Sequence, residues 1–314
     1  MENSLVKLKQ KSKLAIDSCD YFLLSNHEVT DATTNPSLIL KVLIQSRYRQ
    51  YVQEIKASNL TLPREQLIRL IIVNFGKEIL KRIPGRVSTE VSPQVAYSVK
   101  KTVEEAYRIR EVYLSLGENL ERVLIKIPAT YEGIKAASEL EKNGVRCNMT
   151  LIFSEVQSVA CADAGAAVIS PFIGRVGDWY KMHGRSWDLV EEDPGVRFVR
   201  KLKFMLANYG NTEIMGASFR NIDQIIALAG LDLLTISPEF LDDLKGVNKS
   251  LDLSWLEDNH TAVKNKNSNA LDRKNFEKLL ASDVMATDKL VEGIKLFQED
   301  SQKFERMILS DDLR

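Results

Sequence analysis

One lysine stands inside an apolar run. Val123-Leu124-Ile125-Lys126-Ile127-Pro128-Ala129-Thr130 reads as a short buried strand with Lys126 in its middle. An ammonium in apolar surroundings is costly because desolvation disfavours its charged form, so such a lysine is either paired or becomes a neutral amine. A neutral amine is a nucleophile. On this stretch alone, a lysine snorkelling from an edge strand fits as well. Strand alternation puts Leu124, Lys126 and Pro128 on one face and Val123, Ile125 and Ile127 on the other. Polar residues at the ends of the other apolar runs extend the pattern: Asp17, Asn35, Glu90, Asn148 with Thr150, Ser170, and Ser218 with Arg220. Any one alone reads as an ordinary helix cap. Together, a buried amine among carboxylates and hydroxyls is what Schiff-base catalysis at a sugar ketone requires.

The elements that must carry these residues alternate along the chain. After a short helical start, strands are expected over Lys13 to Asp17, Val29 to Thr34, Arg86 to Val91, Val123 to Thr130, Val145 to Phe153, Ala166 to Ile173, Thr212 to Phe219 and Leu231 to Ser237. Helical stretches separate them. Asn35-Pro36 opens one that runs on through Ile55, and others cover Arg64 to Arg82, Tyr97 to Leu116, Tyr131 to Lys142, Ser154 to Ala164, Gly195 to Tyr209, Asn221 to Ala229 and Pro238 to Leu244. Gly174, Arg175 and Gly177 read as a loop leading into a charged stretch. Eight strands alternating with helices and apolar on both faces indicate a parallel sheet, and eight close into a (β/α)₈ TIM barrel within one domain of 314 residues. An open doubly wound sheet is the alternative. Lys245 to Asn275 is a polar connector anchored at Ser254-Trp255-Leu256, and Phe276 to Leu280 and Met285 to Leu309 form helices packed outside the barrel.

Composition excludes several classes. With 43 basic and 43 acidic residues there is no general surface for nucleic acid or an anionic membrane, so any anion site must be local. The longest apolar runs are too short or interrupted to span a bilayer, and the amino terminus lacks a signal-peptide core, which points to the cytoplasm. Cys19, Cys147 and Cys161 have no metal-like spacing and read as buried reduced thiols. There is no GxGxxG after a strand, no phosphate-binding lysine loop and no paired-histidine metal motif.

Six stretches carry a family resemblance over nearly the whole chain. Asp31 to Leu40 (DATTNPSLIL), Val87 to Val91 (VSTEV), Val123 to Thr130 (VLIKIPAT), Asn148 to Ser154 (NMTLIFS), Ile169 to Arg175 (ISPFIGR) with Asp178-Trp179-Tyr180, and Met215 to Asn221 (MGASFRN) resemble the signatures of transaldolase in order and spacing, in its long form. The resemblance implies transfer of a dihydroxyacetone unit from sedoheptulose 7-phosphate to glyceraldehyde 3-phosphate, giving erythrose 4-phosphate and fructose 6-phosphate in the non-oxidative pentose phosphate pathway. It implies sugar phosphates as the partners, no cofactor and no metal, and it allows a homodimer. By the same resemblance Lys126 forms the Schiff base, Asp17 is the acid/base for carbon–carbon cleavage, and Glu90 with Thr150 holds a proton-relaying water. Asn35, Asn148 and Ser170 would bind the dihydroxyacetone hydroxyls, and Arg175, Ser218 and Arg220 the phosphate.

One stretch departs from the family. Where its members commonly continue the third strand as Glu-Val-Asp-Ala-Arg, this chain has Glu90-Val91-Ser92-Pro93-Gln94, and Ser92 shares a strand face with Glu90. Two rival readings accompany the resemblance. A fructose 6-phosphate aldolase would be shorter and tend to carry tyrosine where this chain has Phe172, so Phe172 and Glu90 favour the transferase. A non-catalytic barrel would have eroded strand ends, whereas the charged positions stand.

Overall fold

A computed structural model describes residues 2–257 and 272–309. Eight parallel strands, β1 (Lys13–Asp17), β2 (Asp31–Thr33), β3 (Val87–Glu90), β4 (Val123–Pro128), β5 (Cys147–Ile152), β6 (Val168–Pro171), β7 (Glu213–Gly216) and β8 (Leu233–Ile236), close in sequence order. Closure is made by β1 against β8, pairing Lys13 with Leu233 and Ile16 with Ile236. The expected (β/α)₈ barrel is therefore the fold, and the open sheet is excluded. Around it lie α1 (Ser4–Lys9), α2 (Pro36–Val42), α3 (Ser46–Ala57), α4 (Arg64–Leu80), α5 (Val99–Ser115), α6 (Tyr131–Lys142) and α7 (Glu155–Asp163). The series continues with α8 (Ile173–Met182), α9 (Pro194–Met205), α10 (Ile222–Ala227), α11 (Pro238–Gly246), α12 (Arg273–Ser282) and α13 (Val284–Leu309).

Alternation along the strands builds the interior in layers. Val123, Ile125 and Ile127 face outward into the main core under the helices. Ala15, Leu124, Val168, Met215 and Leu233 gather in a separate apolar cluster that fills the barrel. Two residues further along each strand come Asp17, Lys126, Ser170, Ala217 and Thr235, so the layer above the apolar plug is the polar one. A closed barrel leaves no edge strand for Lys126 to snorkel from.

Three expectations are corrected. Gly174, Arg175 and Gly177 are not in a loop but in α8, where Gly174 is required because a Cβ would run into the carbonyl oxygen of Ser218. The long helix after Asn35 is two helices. Gln45 turns extended, and the start of α3 is pinned to Asp20 by Gln45 Nε2 (3.1 Å), Arg47 Nη2 (3.2 Å) and Tyr48 Oη (2.5 Å). The connector ends earlier than Asn275, because Asp272 caps α12 by accepting from Asn275 N at 3.0 Å. Its stretch 258–271 lies outside the described residues, and Trp255 is buried at its near end as expected.

The carboxy-terminal helices lie outside the cylinder of strands, and α13 also crosses its carboxyl end. Leu290, Ile294 and Phe297 of α13 pack with Leu151, Phe153, Phe172 and Ala217 in a second core above the barrel. The approach is close at Gly293, where a Cβ would come within 2.8 Å of Leu151 Cδ2. Leu151 itself takes a left-handed backbone, φ +57°, at an irregularity in β5 that breaks its register with β6. Such a conformation costs about 1–3 kcal/mol in a non-glycine residue. It persists here because Leu151 is wholly buried beneath α13.

Candidate active site

Lys126 sits in the middle of β4, in register with Glu90 on β3 and Asn148 on β5. Its side chain is 6% exposed and that of Glu90 1%, and Lys126 Nζ lies 3.1 Å from Glu90 Oε2. The approach is close but poorly aligned, so among the described residues neither Glu90 oxygen has a hydrogen-bond partner, and the buried Thr150 Oγ1 also lacks one. Buried polar groups are normally satisfied, and leaving one unsatisfied costs about 1–3 kcal/mol. Glu90 stands against Lys126, and Lys126 and Thr150 both line one pocket, so these groups are left for a small hydrogen-bonding molecule. Among the described residues, Lys126 Nζ donates to the carbonyl oxygen of Thr34 at 3.4 Å.

Asp17 ends β1 in the same layer. Thr33 Oγ1 donates to Asp17 Oδ1 at 2.6 Å and lies 2.7 Å from Thr235 Oγ1. Burial raises the Asp17 carboxyl above its ordinary range, opposed first by the charge of Lys126 and then by the Thr33 hydrogen bond. Glu90 is raised for the same first reason, with Lys126 lowering it and the negative charge of Asp17 adding to the rise. Both carboxyls are thus biased toward holding a proton, as acid/base groups need.

That bias has a sign in stability. A carboxyl whose folded pKa exceeds its unfolded one costs nothing below about pH 4, where both states are protonated. As pH rises, the folded state must keep the proton or bury the charge, and stability is lost. Asp17→Asn, neutral throughout, should raise the melting temperature at pH 7 and leave it nearly unchanged at pH 3.5 in calorimetry. An equal gain at both pH values would show that charge is not its source.

The pocket over this layer has a volume of about 210 Å³ and brings together Asp17, Asn35, Lys126, Thr150, Ser170, Arg175, Ser218 and Arg220. Asn35 caps α2, its Oδ1 accepting from Leu38 N at 2.8 Å, and so leaves its amide N–H groups for the pocket. Two of the expected residues do not line it. Asn148 is wholly buried, donating to Ser88 Oγ at 3.0 Å and accepting from Ser170 Oγ at 2.7 Å, so it reaches the pocket only through Ser170. Glu90 stands behind Lys126 in the wall.

Two guanidiniums close the far side. Arg175, in the first turn of α8, is flanked by Phe172 and Phe297, its Cζ 5.2 Å and 5.6 Å from their ring centroids. Its Nη1 is buried without a partner, and burial with the like charge of Arg220 holds its pKa below the usual arginine value. Arg220 is fixed by Asp178 Oδ2, 3.0 Å from Nε and 2.7 Å from Nη2, while its Nη1 lies 3.3 Å from Ser218 Oγ. Ser218 holds φ +62°, which turns its hydroxyl into the pocket mouth. Two guanidiniums in one pocket wall, one of them with an unpartnered buried nitrogen, are an arrangement that can hold an anion such as phosphate through charge-assisted forks.

Sequence reasoning assigned no part to Thr33, Thr235, Ser237, Phe240 or Phe297, all of which line the pocket. Thr235 was detectable as a lone polar residue in LLTI by the logic that singles out Lys126. Phe297 gave no signal, being one apolar position among many on an amphipathic helix. It covers the amine, its ring centroid 5.9 Å from Lys126 Nζ. The three cysteines are free and buried. Among the described residues no helix is long and apolar enough to cross a membrane. The family model described as transaldolase/fructose-6-phosphate aldolase matches residues 14–308.

Proposed function

This chain belongs to the transaldolase/fructose-6-phosphate aldolase family, and we propose that within it the chain is a transaldolase. The observation that carries this reading is the buried amine of Lys126, 3.1 Å from Glu90, opening on a pocket that also holds Asp17 and paired arginines. Lys126 attacks the donor ketone. Glu90 and Thr150 hold the water lost and regained as the carbinolamine becomes an imine. Asp17 takes the proton of the hydroxyl beside the bond that breaks, leaving dihydroxyacetone on the lysine, and returns it when the acceptor aldehyde adds. Asn35 and Ser170 bind the hydroxyls of the three-carbon unit, Asn148 orients Ser170, and Arg175, Ser218 and Arg220 bind the phosphate. The substrates proposed are sedoheptulose 7-phosphate and glyceraldehyde 3-phosphate, and such an enzyme of central sugar metabolism would work in the cytoplasm.

Hydrolysis of the three-carbon imine would make the same site an aldolase. Phe172 lines the pocket with a bare ring that packs edge-on against Phe153, centroids 5.5 Å apart, and offers no hydroxyl to hold a hydrolytic water. That favours transfer. Borohydride reduction in the presence of fructose 6-phosphate should leave a three-carbon adduct on Lys126, and added erythrose 4-phosphate should be converted to sedoheptulose 7-phosphate faster than free dihydroxyacetone appears. An adduct on another lysine, or dihydroxyacetone as the main product with acceptor present, would refute the assignment.

The anion site gives a separate expectation. Arg175→Ala removes charge-assisted contacts made in ground and transition states alike, each worth about 1.5–3 kcal/mol. It should therefore raise KM for phosphorylated sugars by roughly 10- to 100-fold with little change in kcat. If the variant kept wild-type KM while kcat fell, Arg175 would belong to the chemistry and not to phosphate binding.

A further inference from the structure

A second cavity lies at the carboxyl end of β3, and at about 620 Å³ it is larger than the substrate pocket. Ile68 and Ile72 of α4, Ile109 of α5, Ser92 of the turn after β3 and Ser301 of α13 line it, and Glu90 is the one residue of the reactive layer in its wall. Its buried cation is paired: Arg69 is held fork to fork by Glu105 at 2.7 and 2.9 Å. A space with balanced charge and mixed walls recommends itself for water more than for an ionic ligand.

Glu90 therefore stands between two spaces. On one side its Oε2 is 3.1 Å from Lys126 Nζ, and on the other it borders the larger cavity. A donor condensed with Lys126 occupies the pocket side of the amine, and Phe297 covers it from above. Yet water must move at each imine. The carbinolamine takes a proton from the Glu90 carboxylic acid, its C–O bond breaks, and a protonated imine, a carboxylate and one water result. Hydrolysis runs this in reverse, consuming one water.

We propose that the cavity at the carboxyl end of β3 is the route by which that water reaches and leaves the reactive layer, so that it exchanges with solvent while the sugar stays in place. The proposal rests on the Schiff-base reading of Lys126. The Glu90 carboxylate is itself closed off, so passage needs side-chain motion at the wall, which a bulkier residue there would block. Ser92 and Ile68 supply two separate walls in which to place one.

Oxygen exchange tests the route. Fructose 6-phosphate is incubated with the enzyme in ¹⁸O-water without acceptor, and label entering the C2 carbonyl is followed by mass spectrometry above an enzyme-free blank. The rate of borohydride trapping on Lys126 measures the imine formed. A water that cannot leave returns to the carbon it came from, so a blocked route lowers exchange without lowering imine. In Ser92→Phe and in Ile68→Trp, exchange per imine should fall at least ten-fold with trapping and KM unchanged, whereas Ile68→Ala should exchange like wild type. Unchanged exchange in both filled variants would overturn the route, and so would a parallel fall of trapping and exchange, since the wall would then be serving the fold of the site. No trapping in wild type would instead remove the Schiff-base reading, and the route with it.

Discussion

Lys126→Arg should lose both sugar transfer and borohydride trapping while the barrel stays folded. The arginine keeps a cation opposite Glu90, so the 3.1 Å ion pair has a successor and no buried carboxylate is stranded. A guanidinium does not form an imine with a ketone under these conditions. Losing covalent catalysis should cost a factor of order 10⁴ or more in kcat/KM, with circular dichroism and melting temperature close to wild type. A reduced sugar adduct found anywhere on the variant would mean that the nucleophile is another residue.

The second large effect separates bond breaking from imine formation. Asp17→Ala leaves Lys126, Glu90 and Thr150 in place, so the donor should still enter and condense with the amine. Without Asp17, whose carboxyl is poised by burial and by Thr33 at 2.6 Å, nothing takes the proton of the adjacent hydroxyl. Losing a general base costs a factor of about 10² to 10⁴. Reduction should then trap the intact six- or seven-carbon sugar phosphate on Lys126, where wild type traps the three-carbon fragment. A three-carbon adduct appearing at the wild-type rate would leave Asp17 as a partner for Thr33 and nothing more.

Both experiments were conceivable from the sequence because of what a barrel strand looks like in one. A strand buried on both faces reads as an apolar run, so VLIKIP and CNMTLI stand out, and a polar residue in such a run has to be explained. Alternation then tells which face a residue occupies but not its depth. Glu90 and Asn148 were grouped with the pocket residues and turned out to stand behind them, one against Lys126 and one bonded to Ser170. The α8 segment was hidden by its glycines, each worth roughly 1 kcal/mol against a helix. The close approach to Ser218 that selects Gly174 is a tertiary fact, invisible in the local pattern. Phe297 was illegible for a related reason: an apolar helix position shows that something is buried, not what it covers.

The placement of α13 has a consequence for how the molecule is made. The bond from Ser37 Oγ to Asp300 Oδ2, 2.6 Å, and the packing of Phe297 over Lys126 join segments that leave the ribosome far apart in time. Phe297 follows Lys126 by about 170 residues, which at roughly 5–20 residues per second is about 10 to 30 s of synthesis. Through that interval a nascent chain can present the lysine but not the helix that covers it, and β8 cannot close on β1 until late in the same interval. The covered site therefore comes together only once α13 has been made, and a chain interrupted before α13 would carry Lys126 without its cover.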